Sequence, residues 1–232
     1  MKRTGIGFAV FGSAVLGLIL AGCASSGKYP SAEIGEPKDT LSADTYFASA
    51  PTAQTREKEL SDCLMLVAGQ VSVRDRVEVR YTVSGNMVRS ELGYDQDYSV
   101  TLLDRMQVLT VSQTGNGTSA VVRITGKSPY KVPRVAIDDR LDANGLPRWV
   151  SKKPEGTGFV TAVGNVRVSA NPASAPGYAD MNAIGALLPE ISEPAVSGSA
   201  KTYAKTLHGA FIARRWYSPG DNMYYSLAVL PR

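Results

Sequence analysis

Apolar and polar positions alternate along this chain with two different periods. In TREKELSDCLMLVAGQVSV, the residues Leu60, Cys63, Leu64, Val67 and Val71 stand at i, i+3, i+4, i+7 and i+11. That spacing puts them on one stripe of a helix facing a core, with Glu57, Glu59 and Asp62 on or near its early turns, where the helix dipole favours acids. Farther on, MQVLTVSQTGNGTSAVVRI holds two β-rich runs around a Gly-Asn-Gly turn and predicts a hairpin of residues 106–112 with 119–125. Between helix and hairpin, RVEVRYTVSGNMV reads as another strand or a projecting ribbon, and DQDYSVTLLDRM as a short helix.

The same order returns in the C-terminal half. GFVTAVGNVRVSA alternates as a strand through Phe159, Thr161 and Val163, then Val166 and Val168 after a Gly-Asn interruption. GYADMNAIGALLPEI is helical through Met181, Ile184, Leu187 and Leu188, and Pro189 would end or kink it by removing a backbone donor. SAKTYAKTLHGAFIARRWYS is expected to begin as helix and to pass through Gly209 into a strand; PGDN turns the chain, and MYYSLAVL closes a hairpin. Set side by side, TLLDRMQVLTVSQTGNGTSAVVRI and KTLHGAFIARRWYSPGDNMYYSLAVL share one sequence of elements, which reads as a duplication. The expected fold is α+β: two similar small modules, residues 45–126 and 157–232, each with helices packed on an antiparallel sheet and ending in a β-hairpin. The segment 127–156, rich in Pro, Gly and charge, reads as the linker.

The first residues change the picture of where the protein works. Met1, Lys2 and Arg3 precede an apolar stretch from Gly5 to Leu20 with no ionisable group, the length of a signal-peptide core and shorter than the roughly 20 apolar residues that span a bilayer. Leu20, Ala21, Gly22 and Cys23 then place small residues before a thiol. The quartet resembles the bacterial lipobox, in which the cysteine is acylated and becomes the mature N-terminus. Residues 1–22 are therefore expected to be removed, and Cys23 to carry diacylglycerol and palmitate-type chains. Each buried methylene contributes roughly 0.8 kcal/mol, and several chains hold the anchor. Ala24 stands where an inner-membrane retention signal would carry aspartate, which favours the outer membrane. Residues 24–44 mix Ser, Ala, Pro, Gly and charge without periodicity and read as a tether.

Composition narrows the chemistry. The formal net charge is +4, and two of those charges, Lys2 and Arg3, leave with the signal, so no basic stripe argues for nucleic acid. Of two cysteines, Cys63 alone remains as a thiol, on the apolar helical stripe, where it reads as a small buried hydrophobe. A single histidine, His208, excludes a two-histidine zinc site and reads as a capping or partly buried structural residue. Ser128 and Lys131 match Ser-x-x-Lys, but Pro129 opposes the helix that would bring them together. DDRLDANG has Arg140 and Ser151 where a calcium loop needs acids, and GNVRVSANPASAPG lacks the lysine of a phosphate cradle. No cofactor, metal or catalytic set is expected. In FIARRWYS, Arg214 and Trp216 share one face and Arg215 and Tyr217 the other. With Tyr224 and Tyr225, these residues form the candidate contact surface for a partner or a polyanionic glycan.

The run LPRWVSKKPEGTGFVTAVGNVRVSA, the Ala-rich helix and LHGAFIARRWYSPGDNMYYSLAVL together resemble the Lpp-twenty family of bacterial outer-membrane lipoproteins. The features are Pro147-x-Trp149, a Gly-bounded first strand, an Ala-spaced helix, and the closing hairpin around Trp216 and Tyr225. The likeness covers about 147–232 and, more loosely, 45–126. It implies a small α/β module, a lipid anchor and, in some members, a role around the flagellar basal structure; it implies no enzymatic activity. The expected function is thus a non-enzymatic, lipid-anchored outer-membrane protein that binds a protein partner or copies of itself. The alternative is a peptidoglycan- or glycan-binding lipoprotein.

Overall fold

A computed structural model describes residues 45–126, 133–168 and 172–232. The lipobox, Cys23, the tether and the Ser128–Lys131 motif lie outside the described residues. No helix among the described residues is long and apolar enough to cross a membrane.

The fold is α+β, built from two similar modules with antiparallel sheets. In the first, β1 (Thr45–Pro51) leads into α1 (Arg56–Asp75), and the closing hairpin is β4 (Met106–Thr114) and β5 (Gly117–Ile124). In the second, β6 (Phe159–Arg167) leads into α4 (Ala175–Gly185), and the closing hairpin is β9 (Phe211–Ser218) and β10 (Met223–Pro231). Both three-stranded sheets have one order, β1-β5-β4 and β6-β10-β9, with the module's first strand against its last.

Each helix lies on its sheet for a reason visible in its side chains. Thr55 caps α1 by accepting a hydrogen bond from the Lys58 amide at 3.2 Å, and Cys63, Val67 and Val71 pack with Ala48, Ala120 and Val122 in a first core. Leu60 and Leu64, from the same stripe, are partly buried against it. On α4, Ala175, Ala179 and Ala183 repeat every four residues and are all buried, leaving no bulk between helix and strand. Gly164 of β6 completes the close approach: a Cβ there would stand 2.0 Å from the Ala183 nitrogen. The Gly-Asn step expected to interrupt this strand instead lies within an unbroken β6, paired along its length with β10.

A third sheet joins the modules. The ribbon after α1 is β2 (Val77–Ser84) and β3 (Met87–Gly93), and the second module contributes β7 (Ala195–Ser197) and β8 (Ala200–Leu207). Their order is β3-β2-β8-β7, so the central pair comes from different modules. Here the expectation of helix at SAKTYAKTL is corrected: the segment is strand β8. Its Ala and Lys favour helix locally, but β2 offers a full partner. Tyr203 meets Tyr81 with ring centroids 6.2 Å apart, and the Thr82 and Thr202 hydroxyls lie 3.2 Å apart. Two-residue turns at Gly85-Asn86 and Gly198-Ser199 close both hairpins at the same end, with positive φ at each glycine.

The main core lies between this sheet, α4 and β6-β10, through Val77, Val79, Val160, Ile184, Leu187 and Leu207. The helix α4 stops at Gly185, and Pro189 sits in the 3-10 turn Leu188–Glu190. Short helices α2 (Gln96–Thr101) and α3 (Arg148–Ser151) complete the set, α2 being followed by the 3-10 turn Leu103–Arg105. The described part of the linker is packed onto the second module: Trp149 is buried with Phe159, Leu227 and Val229, and Val135 and Ile137 pack against them.

Candidate functional site

The hairpin β9–β10 turns its arginines, Tyr217 and Tyr224 into the interior and leaves Trp216 and Tyr225 partly exposed. Its alternation is as expected, with Arg214 and Trp216 on one side and Arg215 and Tyr217 on the other, but both sides are covered. Arg214 Nε donates to both carboxylate oxygens of Asp139, each at 3.2 Å, and Trp216 packs under Trp149 and its neighbours. Among the described residues, Trp216 Nε1 has no hydrogen-bond partner. Tyr217 and Tyr224 are buried and stacked, 6.4 Å between centroids, and the Tyr217 hydroxyl donates to Asn222 Oδ1 at 3.1 Å. Burial pushes the Tyr224 hydroxyl well above the usual tyrosine range, and raises the half-buried Tyr225 by the same cause. Arg214, Arg215, Tyr217 and Tyr224 therefore belong to the second module's core and its covering contacts, while Trp216 and Tyr225 keep partial exposure.

Arg215 lies on the seam between modules. Its Nε and Nη2 donate to Asp180 Oδ1 at 3.0 Å and Oδ2 at 2.8 Å, a forked pair between β9 and α4. Nη2 also donates to Gln70 Oε1 of α1 at 3.3 Å, and the guanidinium lies 5.4 Å from the centre of the Phe47 ring of β1. Gln70 in turn donates to the Phe47 carbonyl at 2.6 Å. Nearby, Arg74 of α1 donates to the Tyr46 hydroxyl at 3.3 Å and stacks over Phe211 of β9 at 5.3 Å. A cleft of about 160 Å³ opens beside these groups, walled by Leu66, Tyr94, Met181 and Ile184.

This cleft gathers acid, hydroxyl and guanidinium from both halves, so its chemistry bears on catalysis. Asp180 accepts three donors: the two from Arg215 and the Ser226 hydroxyl at 2.6 Å. Ser226 is fully buried beneath the carboxylate rather than aimed at the cleft. His208 is elsewhere, exposed in the β8–β9 turn, with Nδ1 at 3.0 Å from the Asp75 carbonyl; the Gly209 amide donates to the Arg74 carbonyl at 2.6 Å. That turn caps the C-terminal end of α1, satisfying carbonyls the helix cannot pair itself. The histidine is a capping residue, as expected, though for a helix of the other module. Among the described residues no cluster of three or more His, Cys, Asp or Glu side chains could hold a metal. Asp142 closes its own turn by accepting from the Asn144 and Leu146 amides, and Arg140 holds the Asp138 carboxyl well below the usual range.

A second buried polar group ties α1 to the closing hairpin. Glu59 Oε2 accepts from Thr118 Oγ1 at 2.5 Å and from Arg56 at 2.8 Å, while Oε1 accepts from the Ala53 amide at 3.2 Å. The Thr118 hydrogen bond leads in holding Glu59 below its ordinary pKa. One turn on, Cys63 donates to the Thr118 carbonyl at 3.1 Å, and burial pushes its thiol up to about 11, far from a reactive thiolate. Gln70 and Asp180 were not singled out from the sequence, and Glu59 reads there as an early-turn acid favoured by the dipole. Each nonetheless stands three or four residues from an apolar stripe position, Glu59 before Cys63, Gln70 after Val67 and Asp180 before Ile184, but a polar side chain there gave no sign of the buried partner that holds it.

Among the described residues, β4 presents an open, uncharged strand surface. It is an edge strand paired only with β5, and its sequence MQVLTVSQT has no ionisable residue. Val108, Leu109 and Val111 are 40%, 40% and 38% exposed. The signal was present in the sequence as an uncharged β-rich run, but reading it as an open edge required the strand order. No family model, curated protein or solved structure matched this chain.

Proposed function

We propose that this is a lipid-anchored component of the bacterial outer membrane that performs no chemistry and works by association, holding a protein partner or copies of itself. The N-terminal quartet ending at Cys23 supports the anchor, and the resemblance to the Lpp-twenty family supports the class. The observation that carries the association reading is β4: an uncovered, uncharged strand edge with apolar side chains presented beside it. The cleft supports the absence of catalysis, because its carboxylate is spent on Arg215 and Ser226 and its serine lies beneath rather than within it.

Two measurements test the reading. Cells fed labelled palmitate should label the wild-type protein in the outer-membrane fraction, and Cys23→Ser should lose the label and leave that fraction. Cross-linking in intact cells should trap the protein with a partner or with itself. An unlabelled wild-type chain would remove the anchor, and a chain that yields no cross-linked product would remove the association.

A further inference from the structure

Among the described residues, three sheets have six edge strands: β1 and β4, β6 and β9, β3 and β7. Five of them carry a device that discourages pairing. On β1 the Phe47 carbonyl accepts from Gln70, and on β6 the Asn165 carbonyl accepts from Asn182 at 2.9 Å. β9 is held on both faces, through Arg214 with Asp139 and Arg215 with Asp180. β3 carries the charged residues Arg89 and Glu91, and β7 has only three residues. Charge, brevity, cover and bulges are means by which edges avoid other chains. Among the described residues β4 has no charge, brevity or cover, and Gln107 through Val111 are all exposed. Its one irregularity is a bulge between Val108 and Thr110, which leaves Thr110–Thr114 in regular register.

The arrangement of side chains on β4 says what fits it. Val108 pairs with Val122 and Val111 with Ala120, and both partners face α1 in the first core. Directly paired residues share a face, so the two valines project on the helix side, beyond the helix's cover. Thr110 and Ser112 pair with Val121 and Ser119 on the opposite side. A strand with this pattern is complementary to itself turned end for end. About an axis at Val111 the valine meets its own copy on one face, Thr110 meets Ser112 through hydroxyls on the other, Leu109 at the bulge lies against Gln113, and no charge faces a like charge.

We infer that β4 pairs antiparallel with β4 of a second copy of this chain, about a two-fold axis near Val111, making one six-stranded sheet with α1 of each copy on the same face. The inference rests on the association reading and deepens it by naming the partner as the chain itself. Membrane-tethered copies meet at high local concentration, which suits an interface built from one edge strand of each copy.

The full-length protein, extracted in detergent, tests this. Light scattering should give the mass of a dimer. Neighbours about such an axis stand about 4.5–5.5 Å apart at Cα, within the span of a disulfide, so Val111→Cys should oxidise to a dimer whose peptide map shows a 111–111 linkage. Val196→Cys, on the exposed but short β7, should give none. Val111→Lys sets lysine against its own copy and should weaken the dimer roughly tenfold, with an unchanged circular dichroism spectrum. A dimer that ignores Val111→Lys and yields no 111–111 linkage overturns the assignment to β4 while leaving association intact. A monomer that captures another envelope protein through β4 overturns the second copy as occupant. A monomer with no partner at all overturns both.

Discussion

Glu59 shows how one residue can escape a reading of the pattern. A glutamate in the first turns of a helix is expected in water, helped by the dipole, yet Glu59 is 1% exposed and accepts bonds from Thr118, Arg56 and the Ala53 amide. Its pKa is lowered from 4.5 on folding. A carboxylate depressed in this way contributes stability that is complete above its unfolded pKa and is lost as pH falls through the lower folded value. Glu59→Gln should therefore cost about 2 kcal/mol in urea unfolding at pH 7, the worth of hydrogen bonds to a charged group. That gap should narrow as the pH is taken below 4.5; a gap independent of pH would show that the charge contributes nothing. Cys63 and His208 were legible from sequence, one by its apolar stripe and the other by being alone. Arg215 was legible as important but not as buried, because the pairing acid, Asp180, lies 35 residues away.

Among the elements, α4 and β6 display the tightest fit. The alanines at 175, 179 and 183 announce a helix that approaches something closely, and Gly164 is what it approaches. Gly164→Ala would drive a Cβ into the backbone at Asn182 and Ala183, and backbone cannot swing aside as a side chain can. A loss of at least about 2 kcal/mol in thermal or denaturant unfolding is expected, against a small change for Gly177→Ala, where nothing lies within 4 Å. The hairpins, α1 and α4 could be read from period and turn residues because each element's own face records its burial. Segment β8 could not. Its Lys, Ala and Thr fit helix or strand, and the pairing with β2 across two modules decided between them.

On the scale of the whole molecule, the two modules are joined by a shared sheet and a shared polar seam. β2 follows directly from α1 yet completes its hydrogen bonds on β8, and Arg215 reaches from the second module to Gln70 and Phe47 of the first. Unfolding should accordingly be a single transition. Trp149 and Trp216 both sit in the second module's core, so their fluorescence follows that module, while far-ultraviolet circular dichroism follows both. The two signals should coincide in urea, and two separated midpoints would show modules that melt independently. The amino-acid order alone determined the α+β class, the repeated order of elements and the helical stripe of the first core, because each is written in local period or turn chemistry. Only the tertiary structure decided that β8 is a strand, that Arg215, Tyr217 and Tyr224 of the last hairpin face inward, and that β4, among the described strands, keeps an edge without charge or cover. Those outcomes depend on which distant strand, acid or loop arrives alongside, and that is a property of the packed chain rather than of any stretch of it.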